Sequence, residues 1–203
     1  MRMYFDTETT GLYQSNDFYN HRNKPAIMEY AHVLVDDDWN TVEEFQCFVQ
    51  IPDHVEVHPK AYAAHGIDRA KCTAEGVTLQ HMFLRFVQAV AQARMICGYN
   101  VQYDLDMIEI SYHRLQEELN GALIECDLPS RLDLMKYATP ICQLPPTDRM
   151  KAAGRNHFKS PNLSEALRII CRHELGSSAH GALADTKGCV ILHRKLVELR
   201  NGN

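Results

Sequence analysis

No Cys-x-x-Cys pair occurs among the seven cysteines of this 203-residue chain, at 47, 72, 97, 126, 142, 171 and 189, and their number is odd. This spacing argues against both a disulfide framework and a cysteine-built zinc site. Histidine is plentiful at eleven, but ligand spacing is missing. His54 and His58 stand four apart, yet Val57 and Pro59 around His58 belong to a loop rather than a metal-binding helix face. No apolar run approaches the roughly 20 residues that a membrane-spanning helix needs. The chain opens directly into a strand, so no secretory signal is expected and a cytoplasmic location is. Positive charge is in deficit, with 21 Lys and Arg against 26 Asp and Glu and a net charge of −5. That balance excludes coating of nucleic acid by the whole surface, but not a local site that grips one strand end through bound cations.

What is present is an ordinary globular composition, 45% apolar and 23% charged. At this length we expect one domain over 1–203, with no internal boundary. The first strand holds Tyr4-Phe5-Asp6-Thr7-Glu8. Alternation places Asp6 and Glu8 on one face and Phe5 and Thr7 on the other. Two carboxylates side by side on a buried strand call for something positive between them, and a divalent metal ion is the simplest candidate. The bland alternative is a strand with two solvated acids. Thr9-Thr10-Gly11 follows as a polar turn with backbone N–H groups to offer an anion, and Leu12 then exposes an apolar side chain.

Further along, Asp17 to Lys24 reads as a surface loop and Ala26 to Val35 as a second strand. Asp36 to Asn40 is a hairpin turn and Thr41 to Ile51 a third strand. Pro52 to Ala74 is irregular, with a short helix. Thr78 caps a helix to about Ala93, and Met95 to Gly98 is a short strand. The next helix, Val101 to Leu119, places Asp104 on the apolar face of Val101, Leu105, Ile108, Leu115 and Leu119. Leu123 to Cys126 reads as a strand and Ser130 to Tyr137 as a helix containing Asp133. Thr139 to Pro161 is rich in proline and basic residues, a long loop or arm. Asn162 caps a helix from Leu163 to about His173, ended by Leu175-Gly176. The last helix, Ala182 to Leu199, has an apolar stripe of Cys189, Leu192, Leu196 and Leu199 that extends back onto Asp185.

Asp6, Glu8, Asp104 and Asp185 thus point inward from three separate segments with no basic partner in sequence reach. Buried charge must be paired, and oxygen-only ligands select magnesium or manganese. Two such ions about 4 Å apart form a known clamp for in-line displacement at phosphorus. His180, five residues before Asp185 and beside Gly181, is placed to act as the general base on an attacking water.

Phe5 to Leu12, Asn100-Val101-Gln102-Tyr103-Asp104 and His180-Gly181-Ala182-Leu183-Ala184-Asp185 resemble, in order and spacing, the three motifs of the DnaQ-like, or DEDDh, 3′→5′ exonucleases. His65-Gly66-Ile67 resembles the family's H-G-I signature, and Glu29 falls where its second strand often carries a glutamate. The resemblance spans nearly the whole chain. It implies an α/β, RNase H-like fold: a mixed central sheet, three antiparallel strands beside parallel ones, flanked by helices. It also implies two Mg²⁺ or Mn²⁺ ions. Asp6 would bridge both, Glu8 and Asp185 would hold one and Asp104 would help hold the other. His180 would take the proton of the attacking water. Thr9 and Thr10 would bind the terminal nucleotide, Leu12 would wedge against its base, and His65, Asn100 and Tyr103 would line the pocket. The arm at 139–161 is longer than the compact proofreading members carry.

The expected activity is a 3′→5′ exonuclease on single-stranded or frayed 3′ ends, DNA favoured, that releases nucleoside 5′-monophosphates in repair, proofreading or phage-type DNA metabolism. A polymerase or repair complex in trans is a possible partner. An RNA-trimming exoribonuclease, similar to RNase T and oligoribonuclease, is the rival within the enzyme class. A catalytically silent nucleic-acid-binding module is the rival outside it.

Overall fold

The computed structural model describes residues 1–13, 24–121, 127–174 and 181–202. Its centre is a five-stranded mixed sheet of order β3-β2-β1-β4-β5. Strands β1 (Arg2–Thr9), β2 (Ile27–Val35) and β3 (Thr41–Phe48) pair antiparallel, and β4 (Met95–Gly98) and β5 (Ser130–Asp133) extend the sheet in parallel beside β1. Every residue of β2 is buried, which requires cover on both faces. By contrast β3 is an edge, and the exposed Glu44 and Gln46 suit it to solvent.

Alternation along β1 divides the core. Met3 and Phe5 face one layer with Met82 and Phe86 of α3 (Leu79–Gln92) and Leu105 and Ile108 of α4 (Val101–Glu118). Tyr4 faces the other, with Leu134 of α5 (Leu134–Cys142), Ala166 of α7 (Leu163–Ala166) and Cys189 and Leu192 of α8 (Ala182–Asn201). A smaller cluster of Ala26, Met28, Ile51, Ile67 and Cys72 seats the short helix α2 (Arg69–Glu75) at one end of the sheet, and the His58 N–H, which donates to Thr10 O, ties the start of α1 (Pro59–His65) beside it. No helix among the described residues is long and apolar enough to cross a membrane.

Three sequence expectations are corrected. Residues 130–137 are not one helix: β5 ends at Asp133, whose carboxylate accepts the Met135 N–H and so caps α5. The arm starts later than expected, because α5 runs through Pro140 to Cys142. What remains is closed by a bridge between Leu144 and Lys159 and carries its own helix α6 (Asp148–Ala152). The helix begun at Leu163 widens to an i→i+5 turn over Leu167–Cys171 and ends at Arg172 in the left-handed region, φ 54°. The Asn162 cap is as expected, reciprocated by Glu165 in a capping box. The expected strand at 123–126 and the 175–176 stop lie outside the described residues.

Candidate active site

The carboxyl ends of β1, β4 and β5 meet the amino ends of α4 and α8, where ligands of open α/β sheets bind. Gly98 makes the turn from β4 into α4 possible, since a Cβ there would lie 2.9 Å from Val101 Cγ2. Beyond it Asn100 adopts φ 59° and donates its N–H to Asp133 Oδ1 at 3.0 Å. Asp104 and Asp185 therefore fall in the first turns of their helices, where the macrodipole favours negative charge.

Asp6, Glu8 and Asp185 each present a carboxylate oxygen within 4.8 Å of the others. Asp104 stands next to them but is turned toward β1: its Oδ1 accepts the Thr7 N–H at 3.0 Å and the Thr7 hydroxyl at 2.7 Å. Crowding shows in their protonation. Burial raises Asp6 well above the usual carboxylate range, and the charges of Asp104, Asp185, Glu8 and Glu29 raise it further. Glu8 is pushed up to about 7 by burial, then by Asp185, Glu29 and Asp104. Asp104 also reaches about 7 through burial, against the lowering effect of the Thr7 donors. A hard divalent cation fits this set, since every donor is a carboxylate oxygen and the crowded negative charge is what such an ion neutralises.

Two cavities flank the acids. One of about 490 Å³ opens beside Glu8 and is lined by Thr7, Thr9, Gly11, Leu12, His65 and Tyr103, as well as by His58, Lys60, Ala61 and Ala64. The other, about 480 Å³, has Asp6 and Asp185 in its lining, with Tyr99, Met135 and residues 159–163. Tyr99 donates its hydroxyl to Pro161 O at 2.7 Å, tying the end of the arm to this wall.

The expected nucleotide-pocket residues separate into two groups. Leu12 is 85% exposed at the mouth of the first cavity. Tyr103 shares hydrogen bonds with Thr9 Oγ1 at 2.8 Å and Gly11 O at 2.9 Å, and stacks on Tyr13. His65 accepts the Ile67 N–H at Nδ1, so its proton sits on Nε2, which donates to Thr9 O at 3.1 Å. It caps the loop and walls the cavity at once. Thr10 and Asn100 are placed apart from the others. Thr10 is buried and lines neither cavity; its hydroxyl accepts the Ala26 N–H and its own N–H donates to Ala26 O. Asn100 is exposed and lines neither cavity. His180 lies outside the described residues. Sequence reasoning missed His58 and Lys60; the only local signal was the helix start, with His58 capping α1 ahead of Pro59.

A family model described as Exonuclease (RNase T) matches residues 3–192. A search of curated proteins found no match. Among solved structures, exonuclease I of E. coli in complex with a dT13 oligonucleotide superposes with a TM-score of 0.71 at 20% identity, over 99% of this chain and 41% of that one. Its dA16 complex gives 0.68 at 21% identity over the same shares. Exonuclease I from Methylocaldum szegediense gives 0.69 at 20% identity, over 100% of this chain and 41% of that one. At these identities the likeness is one of fold, and the chain spans about two fifths of the length of the structures it matches. With the family model covering nearly all of it, on a mixed sheet flanked by helices, this chain belongs to the DnaQ-like exonuclease family of the RNase H-like superfamily.

Proposed function

We propose that the chain, as one domain, hydrolyses phosphodiester bonds from the 3′ end of single-stranded or frayed nucleic acid and releases nucleoside 5′-monophosphates. The observation that carries this reading is the junction of the two cavities at three converged carboxylates. A strand end seated there has its terminal nucleotide in the cavity of Leu12, His65 and Tyr103, and its preceding nucleotide in the cavity of Tyr99 and Met135. The linkage between them lies over Asp6, Glu8 and Asp185. Both cavities fall in the roughly 300–1,000 Å³ range of small-molecule sites. DNA is the favoured substrate, because the matched exonuclease I structures hold dT13 and dA16 oligonucleotides.

Asp6, Glu8 and Asp185 would hold divalent ions, with Asp104 contributing from α4. Such ions, Mg²⁺ or Mn²⁺, offset charge on the phosphate and activate water in two-metal hydrolysis. Thr7 fixes the Asp104 carboxylate by two hydrogen bonds, so that it cannot swing away when the site empties. The Tyr103 hydroxyl sets the turn at Thr9 and Gly11 that supports Leu12 against the terminal base. His180 takes the proton of the attacking water.

The test is a degradation ladder on 5′-labelled DNA and RNA oligonucleotides, single- and double-stranded, with MgCl₂ or MnCl₂. The label should shorten one nucleotide at a time, DNA faster than RNA. Asp185→Ala should abolish the ladder, and His180→Ala should slow it by about 10²–10⁴-fold with loss of the acidic limb of the pH profile. Early release of the labelled 5′ nucleotide, or an unimpaired Asp185→Ala protein, would remove this reading.

A further inference from the structure

Glu29 is a buried acid with no task among the metal-binding carboxylates. It lies on β2 directly across from Glu8 in antiparallel register and is 2% exposed. Like charges opposite each other on one sheet face destabilise the pair, so this placement needs a compensating contact. Its two oxygens have separate partners. Oε2 accepts the backbone N–H of Ala182 at 2.9 Å, and Oε1 accepts a hydrogen bond from the Gln46 amide on β3.

Ala182 is the first residue of α8, and the first-turn N–H groups of a helix lack acceptors within the helix. Usually the residue before the helix supplies one from its side chain, to the second or third helical N–H. Here that residue is Gly181, which has none. The cap comes instead from a sheet residue 153 positions away. Gly181 has an extended backbone, φ −156°, that any residue adopts, so the turn does not demand glycine. The carboxylate comes near without crowding it, since a Cβ at Gly181 would lie 3.4 Å from Glu29 Oε2, an ordinary contact.

We propose that Glu29 is a positioning residue. Its carboxylate pins the first turn of α8 to the sheet and so sets where Asp185, in that same turn, stands relative to Asp6 and Glu8. Glu29 acts through the helix: each of its oxygens accepts a hydrogen bond, and it stands outside the three carboxylates that converge within 4.8 Å of one another. The inference rests on the reading of Asp6, Glu8 and Asp185 as metal ligands.

Glu29→Gln and Glu29→Ala separate the hydrogen bond from the charge. The glutamine keeps an oxygen for Ala182 N–H, while Gln46 flips its amide to present an oxygen to the new NH₂ group. In the metal-free full chain, amide exchange at Ala182 followed by NMR should be about tenfold faster in Glu29→Ala and stay at the wild-type rate in Glu29→Gln. Calorimetric Mn²⁺ affinity should fall about 10–100-fold in Glu29→Ala, and the glutamine variant should bind like wild type. Wild-type exchange and affinity in Glu29→Ala would overturn the proposal. So would a glutamine variant whose Mn²⁺ affinity or Ala182 exchange is clearly impaired, because the charge would then be what matters. That second outcome decides the matter even where the alanine variant does not fold. Asp185→Ala run alongside keeps the two readings apart: wild-type Mn²⁺ binding in it defeats the metal-ligand reading, while Ala182 exchange still judges the Glu29 contact.

Discussion

Asp104 is 3% exposed and is held by two hydrogen bonds from Thr7, yet burial still places its pKa at about 7. Asp6 is raised and Glu8 reaches about 7 for related reasons. A carboxyl whose folded pKa lies above its unfolded value keeps a proton that the unfolded chain releases, so stability falls as pH rises from about 4 to 7. His193 works in the opposite sense. Burial, with Arg2 nearby, lowers it to about 4, so its contribution is lost as pH falls from 6.5 toward 4. Comparing a variant with wild type at each pH cancels the histidine. Asp104→Asn can still accept from Thr7 N–H and Oγ1–H but cannot ionise. In EDTA its unfolding free energy should exceed that of wild type by an amount that grows as pH rises from about 4.5 to 7, by on the order of 1 kcal/mol per pH unit at most. A difference that does not change between these pH values would mean that Asp104 keeps an ordinary pKa.

At the scale of elements, the sequence disclosed whatever depends on a local period. The alternation of β1 put Asp6 and Glu8 on one face, and the acids on the apolar stripes of α4 and α8 marked where those helices start near the site. What it hid depends on partners distant in the chain. β5 has four residues and exists because it pairs in parallel with β4, so residues 130–137 looked like one helix. Pro140 suggested a helix end, but α5 continues past the ring to Cys142. His58 and Lys60 reach the first cavity only through the packing of α1 against the end of β1, which no spacing announces. The arm is similar. Its basic residues looked equivalent, but Lys159 is spent on both oxygens of Glu165 at 2.7 Å and Lys151 pairs with Asp148. Arg149 and Arg155 are exposed without an ion pair among the described residues. Replacing both with alanine should lower the salt slope of single-strand binding in EDTA by roughly 0.7 for each phosphate that is no longer neutralised. Lys159→Ala, which removes a cation that lines the second cavity but is already paired with Glu165, should change the slope less than the arginine pair does and lower the melting temperature by loosening the start of α7. A larger slope change from Lys159→Ala than from the arginine pair would reverse this assignment.

Across the whole molecule, the acids bring together parts of the fold that lie far apart in the chain. Asp6 and Glu8 belong to the central strand, Asp104 to the helical layer on one face and Asp185 to the layer on the other. Their repulsion opposes folding as long as nothing neutralises it, and the structure offers backbone N–H groups, Thr7 and two helix dipoles in partial compensation. A divalent ion bound by the folded state alone therefore stabilises the entire domain through linkage, by about 2.7 kcal/mol at a hundredfold excess over its dissociation constant. Melting followed by circular dichroism at pH 7.5 should show a transition that rises with the logarithm of MnCl₂ concentration while staying a single step. Near pH 5 the same titration should give a smaller rise, because protons compete for carboxylates whose pKa values are raised. The double variant Asp6→Asn, Asp185→Asn should start from a higher melting temperature in EDTA and respond little to Mn²⁺, since it loses both the repulsion and the ligands. Equal Mn²⁺ responses in the variant and wild type would place the stabilising ion elsewhere on the surface and detach the acidic junction from metal binding.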